Sequence, residues 1–300
     1  MRVLVAGATG AVGRLLVPML VAAGHEVTGT SRTPAGVERI RSLGATGVRG
    51  DALDAEQLRN VVRAAAPDAV IHQLTDLSAA DGAANGRIRR EGTRHLVDAA
   101  KAAGVGRIVV QSISWAYEPG EHPADEAVPL DGTAAEPRAR MVAAVRELEE
   151  TAAELETAAV LRYGLLYGPG TWYAPGGAFA AALAGDRSAV FLGSTVANDA
   201  VSSFVHVADA AAAALAALGW PTGPVNIVDD EPAPAHVWLP ALAHSLGVPV
   251  PGRVEGRQGW ERGALNTLAR SRGWHPNRAT WRTGFAAEPD ATGAIRGTVQ

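Results

Sequence analysis

A chain of 300 residues is long enough to bury a substantial core, and 47% hydrophobic with 19% charged content is that of a folded globular protein, which argues against disorder. The formal charge of −4 supplies no basic field for a nucleic-acid backbone, and without cysteine the chain can carry no disulfide, thiolate nucleophile or Cys-ligated zinc. No charged leader followed by a long apolar run opens the sequence, so a cytoplasmic protein without a membrane segment is expected.

Residues 2–6 form a short apolar run, and Gly7, Gly10 and Gly13 follow at spacings of three before a helix-periodic segment at 11–23 that stops at Gly24. This predicts strand, tight turn and helix. Such a turn brings backbone close to a pyrophosphate, and the helix N-terminus turns free N–H groups and a positive dipole end towards it. Pro18 should kink the helix or remove one of its bonds. A second strand at 26–30 ends in Thr30-Ser31-Arg32, where a site for NAD would place an acidic residue and a site for NADP a basic one. Arg32 therefore argues for NADP, with NAD as the alternative.

Helix and strand then alternate: a helix at 34–43, a strand at 45–49 leading to Gly50-Asp51, a helix at 55–65, and a buried strand at 69–73 before Leu74-Thr75. A long helix at 88–103 closes at Gly104, and the strand 107–113 ends near a cluster of Ser112, Ser114, Trp115 and Tyr117. The alternation predicts an α/β fold, a Rossmann-type doubly wound parallel sheet whose ligands lie beyond the carboxyl ends of the strands. Residues 119–137 read as a lid or a disordered excursion, 138–153 as a helix, 159–165 as a strand, and 167–173 as a turn rich in aromatics. A strand at 201–206, a helix at 207–218, a strand at 225–228, a helix at 234–246 and a weak helix at 264–270 complete the reading. The expected organisation is a dinucleotide-binding core over 1–168, with 200–228 returning to it. Residues 169–199 and 229–300 then form a small C-terminal region covering the substrate.

Several segments in order resemble the extended short-chain dehydrogenase/reductases, the NAD-dependent epimerase/dehydratase family. They are residues 5–13, Gly50-Asp51, His72-Gln-Leu-Thr75, Gln111-Ser-Ile-Ser114, residues 161–170 and Phe204-Val-His-Val-Ala-Asp209. The resemblance implies pyrophosphate contacts at Gly7, Thr9, Gly10, Ala11 and Val12, and adenosine-phosphate contact at Ser31 and Arg32. It also implies Asp51 and Ala52 beside the adenine, and Gln73, Leu74 and Thr75 along the ribose and nicotinamide. In the family a Tyr and a Lys four residues apart exchange the proton, assisted by a Ser or Thr at the preceding strand end. Here the helix at 138–150 has neither Tyr nor Lys, and an ungapped match puts Ile113 at the hydroxyl position.

The remaining candidates for proton transfer are Ser112, Ser114 and Tyr163, with another of the tyrosines (Tyr117, Tyr167, Tyr173) or bound water as alternatives, while Arg138 and Arg140 are candidates for an anionic substrate. Strand-end serines also bond their own backbone, tyrosines also fill cores, and helix arginines also serve as solvated charges. Trp115, Trp172 and Tyr173 suggest either an aromatic ligand surface or a cover over the core. His72, His95 and His206 lack metal-ligand spacing, so no metal is expected. The leading expectation is an NADP-dependent oxidoreductase or isomerase of a small or medium organic substrate, compatible with a homodimer and with neither nucleic acid nor membrane as partner. The alternatives are a nucleotide-binding redox sensor or partner-binding protein, and a non-redox cyclase or dehydratase on the same fold.

Overall fold

The computed structural model describes residues 1–76, 81–189 and 194–285. Its centre is a seven-stranded sheet of β1 (Arg2–Ala6), β2 (Glu26–Ser31), β3 (Thr46–Arg49), β4 (Ala69–His72), β5 (Arg107–Ile113), β6 (Thr157–Tyr163) and β10 (Gly223–Ile227). Every pairing is parallel, in the order β3-β2-β1-β4-β5-β6-β10. Strands covered on both faces need apolar side chains on both, and β1 and β4 supply them, with one exposed residue between them at Arg2.

Helices α1 (Gly13–Ala22), α2 (Pro34–Ser42) and α8 (Val207–Ala216) cover one face, where Leu16, Val17, Ile40, Ala210 and Ala214 meet Val3, Val5, Ile71 and Leu161. The other face holds α3 (Ala55–Ala65), α5 (Thr93–Ala102) and α6 (Arg138–Ala152), with Leu58, Val62, Leu96 and Leu148 packed on Leu4, Val70, Ile108 and Val110. Pro18 lies inside α1 without ending it.

The helix expected at 88–103 begins earlier than its periodicity suggests. It opens as α4 (Gly82–Arg87), capped by Asp81, passes through a π-helical turn at Ile88–Gly92, and continues as α5. The Gly- and Ala-rich first turn has no amphipathic signature to mark its start. The segment 119–137 is not a disordered excursion: Tyr117 bridges to Leu130, Ala124 bridges to Ala264, and Ala124 is fully buried. The strand expected at 201–206 is two short ones, β8 (Val201–Ser202) and β9 (Phe204–His206), and β9 pairs with β7 (Leu165–Tyr167).

Beyond the sheet, Tyr173, Phe179, Phe204, Trp238, Trp281 and Phe285 form a separate aromatic core, on which Trp172 packs. Helix α7 (Ala178–Leu183), which the sequence reading missed, carries Phe179, and α9 (Ala235–Leu246) carries Trp238. Carboxylates fasten the C-terminal segment to this core. Asp209 accepts from the backbone N–H groups of Asn277 and Arg278, and Asp229 accepts from that of Trp281.

Burial raises the Asp229 carboxyl to about 8, outweighing its hydrogen bonds from the Glu231 and Trp281 amides. Because the folded value lies above the ordinary 3.8, Asp229 contributes stability that is fully present below pH 3.8 and lost as pH rises through about 8. In an Asp229→Asn variant the side chain stays neutral. Its melting temperature should therefore gain on wild type as pH is raised across that window, and parallel curves would contradict the assignment.

Candidate active site

The glycine turn is built from two positions that exclude a side chain and one that admits it. Gly7 has φ +91°, and a Cβ there would stand 2.5 Å from the Gln73 carbonyl oxygen; at Gly13 a Cβ would stand 2.2 Å from the Gly7 oxygen. A Cβ at Gly10 would meet nothing closer than the Gly7 oxygen at 3.4 Å, and Gly10 faces a cavity. Helix α1 starts from Val12 without a side-chain cap; the Arg14 and Leu15 amides donate to the Gly10 and Val12 carbonyls, while those of Ala11, Val12 and Gly13 have no bond among the described residues and remain available to an anion.

That cavity, of about 230 Å³, lies at the carboxyl ends of β1, β2 and β4, where the sheet order reverses. Gly7, Thr9, Gly10, Ser31, Arg32, Asp51, Ala52, Gln73, Leu74 and Thr75 line it, together with Thr30, Gly50 and Ile88. Ala11 and Val12 fall outside its wall: they open α1, and the Val12 side chain is buried in the core below. The residues fit a dinucleotide. The bare helix start and the open side of Gly10 suit a pyrophosphate. Gln73 lines the cavity, and its buried Oε1 has no partner among the described residues, which leaves an acceptor for a ligand donor. A larger groove of about 710 Å³, edged by Glu26, Asp54 and Glu56 against β2, β3 and α3, has the wrong charge for phosphates.

His72 stands behind the cavity wall as a neutral group, its pKa lowered to about 4 by burial. The Leu74 amide donates to its Nδ1, so the ring proton is on Nε2 and is donated to Thr93 Oγ1 at 3.0 Å. This fixes the chain direction just where Leu74 and Thr75 enter the cavity.

Two of the residues expected to move a proton, Ser112 and Tyr163, have their hydroxyls engaged by the protein itself. Ser112 donates to Glu149 Oε1 at 2.7 Å, and Glu149 is held in turn by two bonds from Arg162, at 2.9 and 2.6 Å. Tyr163 is buried beneath the sheet: its hydroxyl accepts from Gln73 Nε2 at 3.2 Å and donates to the Ala210 carbonyl at 3.4 Å. Burial raises that phenol well above its ordinary value, and only Gln73 opposes. Ser114 is buried, its amide bonded to the Tyr163 carbonyl. Ser112 and Tyr163 therefore do not meet as an acid–base pair, and Ser114 adjoins Tyr163 through its backbone.

Ile113, at the family's hydroxyl position, packs with Ala116, Leu130, Val142 and Val145, so α6 presents an apolar side to the end of β5. The chain's single lysine, Lys101, is paired with Glu154 on the surface of α5.

Nor do the arginines of α6 wait for a substrate. Arg138 binds Asp131 and the carbonyls of Trp115 and Tyr117, locking the loop before it, and Arg140 pairs with Glu136 in solvent. Trp115 packs partly buried beside Ile113, and Tyr173 stacks on Phe179 at 4.6 Å within the C-terminal core. Burial and the nearby Arg278 hold His206 at about 4, and its Nδ1 caps α8 by accepting from the Ala208 amide. Among the described residues no group of His, Asp and Glu could hold a metal ion, and no helix is long and apolar enough to cross a membrane.

Comparison with known proteins agrees with this geometry. The model of the NAD dependent epimerase/dehydratase family matches residues 3–227. A curated relative from Streptomyces sp., 3-diazoavenalumate denitrifying reductase, is 43% identical over 96% of this chain and 100% of its own. Among solved structures, the UDP-glucose 4-epimerase of Thermus thermophilus in complex with NAD is 26% identical, with a TM-score of 0.74 over 95% of this chain and 97% of its own. The dTDP-glucose 4,6-dehydratase DesIV of Streptomyces venezuelae, with NAD and TYD bound, is 23% identical with a TM-score of 0.73 over 95% of each chain, a likeness of fold. From the glycine turn, the sheet order and the matched residues together, the chain belongs to the NAD-dependent epimerase/dehydratase family.

Proposed function

We propose that the protein is an NADPH-dependent reductase that gives hydride to an acceptor needing no proton, namely an arenediazonium ion. The observation that carries this reading is the apolar junction of β5 and α6. A cavity lined by the glycine turn and the residues expected to hold a dinucleotide is present, yet Ile113, Val142 and Val145 form an apolar cluster at the end of β5, and the single lysine lies on the surface of α5.

The reduced cofactor, when bound, supplies a hydride, two electrons with one hydrogen nucleus. Delivered to the carbon of R–N2⁺, these electrons form the C–H bond as the C–N bond breaks and its electron pair leaves with dinitrogen. The products are R–H, N2 and oxidised cofactor, and charge balances without a proton. A carbonyl acceptor, in contrast, would leave an alkoxide that must be protonated. Alkyl diazonium ions lose nitrogen unaided, so an aryl ion is the form that would reach an enzyme. The 43% identical relative is named for a denitrifying reduction of a diazo compound, which supports the same chemistry here. Incubation with NADPH and a carboxybenzenediazonium salt tests it: cofactor oxidation with equimolar dinitrogen, above the enzyme-free rate, is expected. Tight cofactor retention without turnover would favour the redox-sensor reading instead.

The same reading assigns the 2′-phosphate of NADPH to Ser31 and Arg32. Both line the cavity at the end of β2, the segment Thr30-Ser31-Arg32 itself contains no acid, and Arg32 is exposed with its Asp76 partner at 3.8 Å. Arg32→Ala should cost NADPH binding about 1.5–3 kcal/mol, the worth of a charge-assisted bond, and leave NADH nearly unaffected. Calorimetric titration with both nucleotides measures this, and equal losses would count against the assignment.

A further inference from the structure

The π-helical turn Ile88–Gly92 carries two arginines, Arg89 and Arg90, that have no hydrogen bond or ion pair among the described residues, and the Arg90 guanidinium lies back over Gly86. Arg87 pairs with Glu91, and one turn further on Arg94 pairs with Asp98 and Glu154. Arg89 makes no hydrogen bond or ion pair among the described residues, although it is only part-exposed. Desolvation alone moves it, lowering its pKa to about 10, and no carboxylate offsets that. A half-buried guanidinium without a counter-charge is costly, and such a residue is a candidate for a ligand's anion.

Its place in the fold says which ligand. Ile88, the preceding residue, lines the cofactor cavity, and Asn85, four residues before Arg89 on the helix, accepts from the Asp76 amide just past the end of β4. Residues four apart share a helix face, so Arg89 belongs to the face above the carboxyl end of β4, beyond Thr75. A π-turn re-aims side chains and recurs at functional sites for that reason. The cofactor's own anions already have their residues at the glycine turn and at Ser31 and Arg32. On that face, beside Ile88, Arg89 is the cation that can neutralise one negative charge, and its planar fork matches the two oxygens of a carboxylate.

We propose that Arg89 is a specificity-determining residue that binds the carboxylate of an aryl-carboxylate substrate beside the nicotinamide end of the cavity. This rests on reading the cavity as a hydride-transfer site, but it is tested by binding without turnover. The NADP⁺-loaded protein is titrated with cinnamate and with its uncharged amide, cinnamamide, in wild type, Arg89→Met and Arg89→Lys. Cinnamate should bind wild type better than the amide. Its affinity should fall about 10–100-fold in Arg89→Met, with partial recovery in Arg89→Lys, while NADP⁺ affinity stays within about twofold. Ligand-free Arg89→Met should also melt above wild type, since an unpaired cation has been removed. Absence of cinnamate binding, equal binding of acid and amide, or a loss confined to NADP⁺ would overturn the proposal. Failure of diazonium reduction with intact cinnamate discrimination would overturn the reaction and leave the carboxylate site standing.

Discussion

A Gly10→Val variant is expected to fold with near-wild-type stability and to lose NADPH affinity by about 100-fold or more, the equivalent of two charge-assisted hydrogen bonds. Gly10 has ordinary φ, and a Cβ there meets only the Gly7 oxygen at 3.4 Å, so the protein has room for the side chain. That room is the cavity itself. The branched side chain would occupy the space where backbone approaches pyrophosphate. Gly7→Ala and Gly13→Ala make the contrast, because their Cβ atoms would stand 2.5 and 2.2 Å from backbone carbonyl oxygens. Those variants should lose stability first and binding as a consequence. Calorimetry beside urea unfolding separates the cases, and wild-type affinity in folded Gly10→Val would refute the phosphate turn.

Glu149→Ala should destabilise the protein by about 3–5 kcal/mol, the usual cost of leaving one partner of a buried ion pair alone. Arg162 and Glu149 have side chains only 6% and 12% exposed and are joined at 2.6 Å. Burial pushes the Arg162 pKa down, but the bonds and charge of Glu149 outweigh it and hold the guanidinium firmly protonated. Without Glu149 that charge would be left against Tyr117, whose ring lies 4.9 Å away, with Glu126 as a weaker counter-charge, and Ser112 would lose its acceptor. The double variant Glu149→Leu/Arg162→Met should recover most of the loss, since neither charge is then stranded. Urea unfolding of both variants reads this, and a loss below about 1 kcal/mol in Glu149→Ala would mean that water reaches the pair.

The wall of the cavity is legible in the sequence because one strand run and one glycine pattern fix both location and direction. From β1 the chain turns once, and Ser31, Asp51 and Gln73 follow at the ends of the next strands. Roles at the end of β5 were harder to read. A strand buried on both faces gives no alternation, so only its register with β6, pairing Ser112 with Arg162 and Ile113 with Tyr163, reveals which side each residue serves. Arg89 was hidden within a run of arginines on a helix read as regular, and a π-turn leaves no mark on a 3.6-residue period. Tyr173 and Trp172 looked like loop aromatics because their partners, Phe179, Phe204 and Trp238, come from segments far apart in sequence.

The origin of the hydrogen in the product tests the central claim, hydride transfer without a protein acid, most directly. With NADPH deuterated at its hydride-donating carbon, in ordinary water, the arene formed from a carboxybenzenediazonium salt should carry deuterium at the carbon that held nitrogen. With ordinary NADPH in heavy water it should carry none. Solvent deuterium at that carbon, or a rate that follows the ionisation of an acid in the protein, would contradict the account.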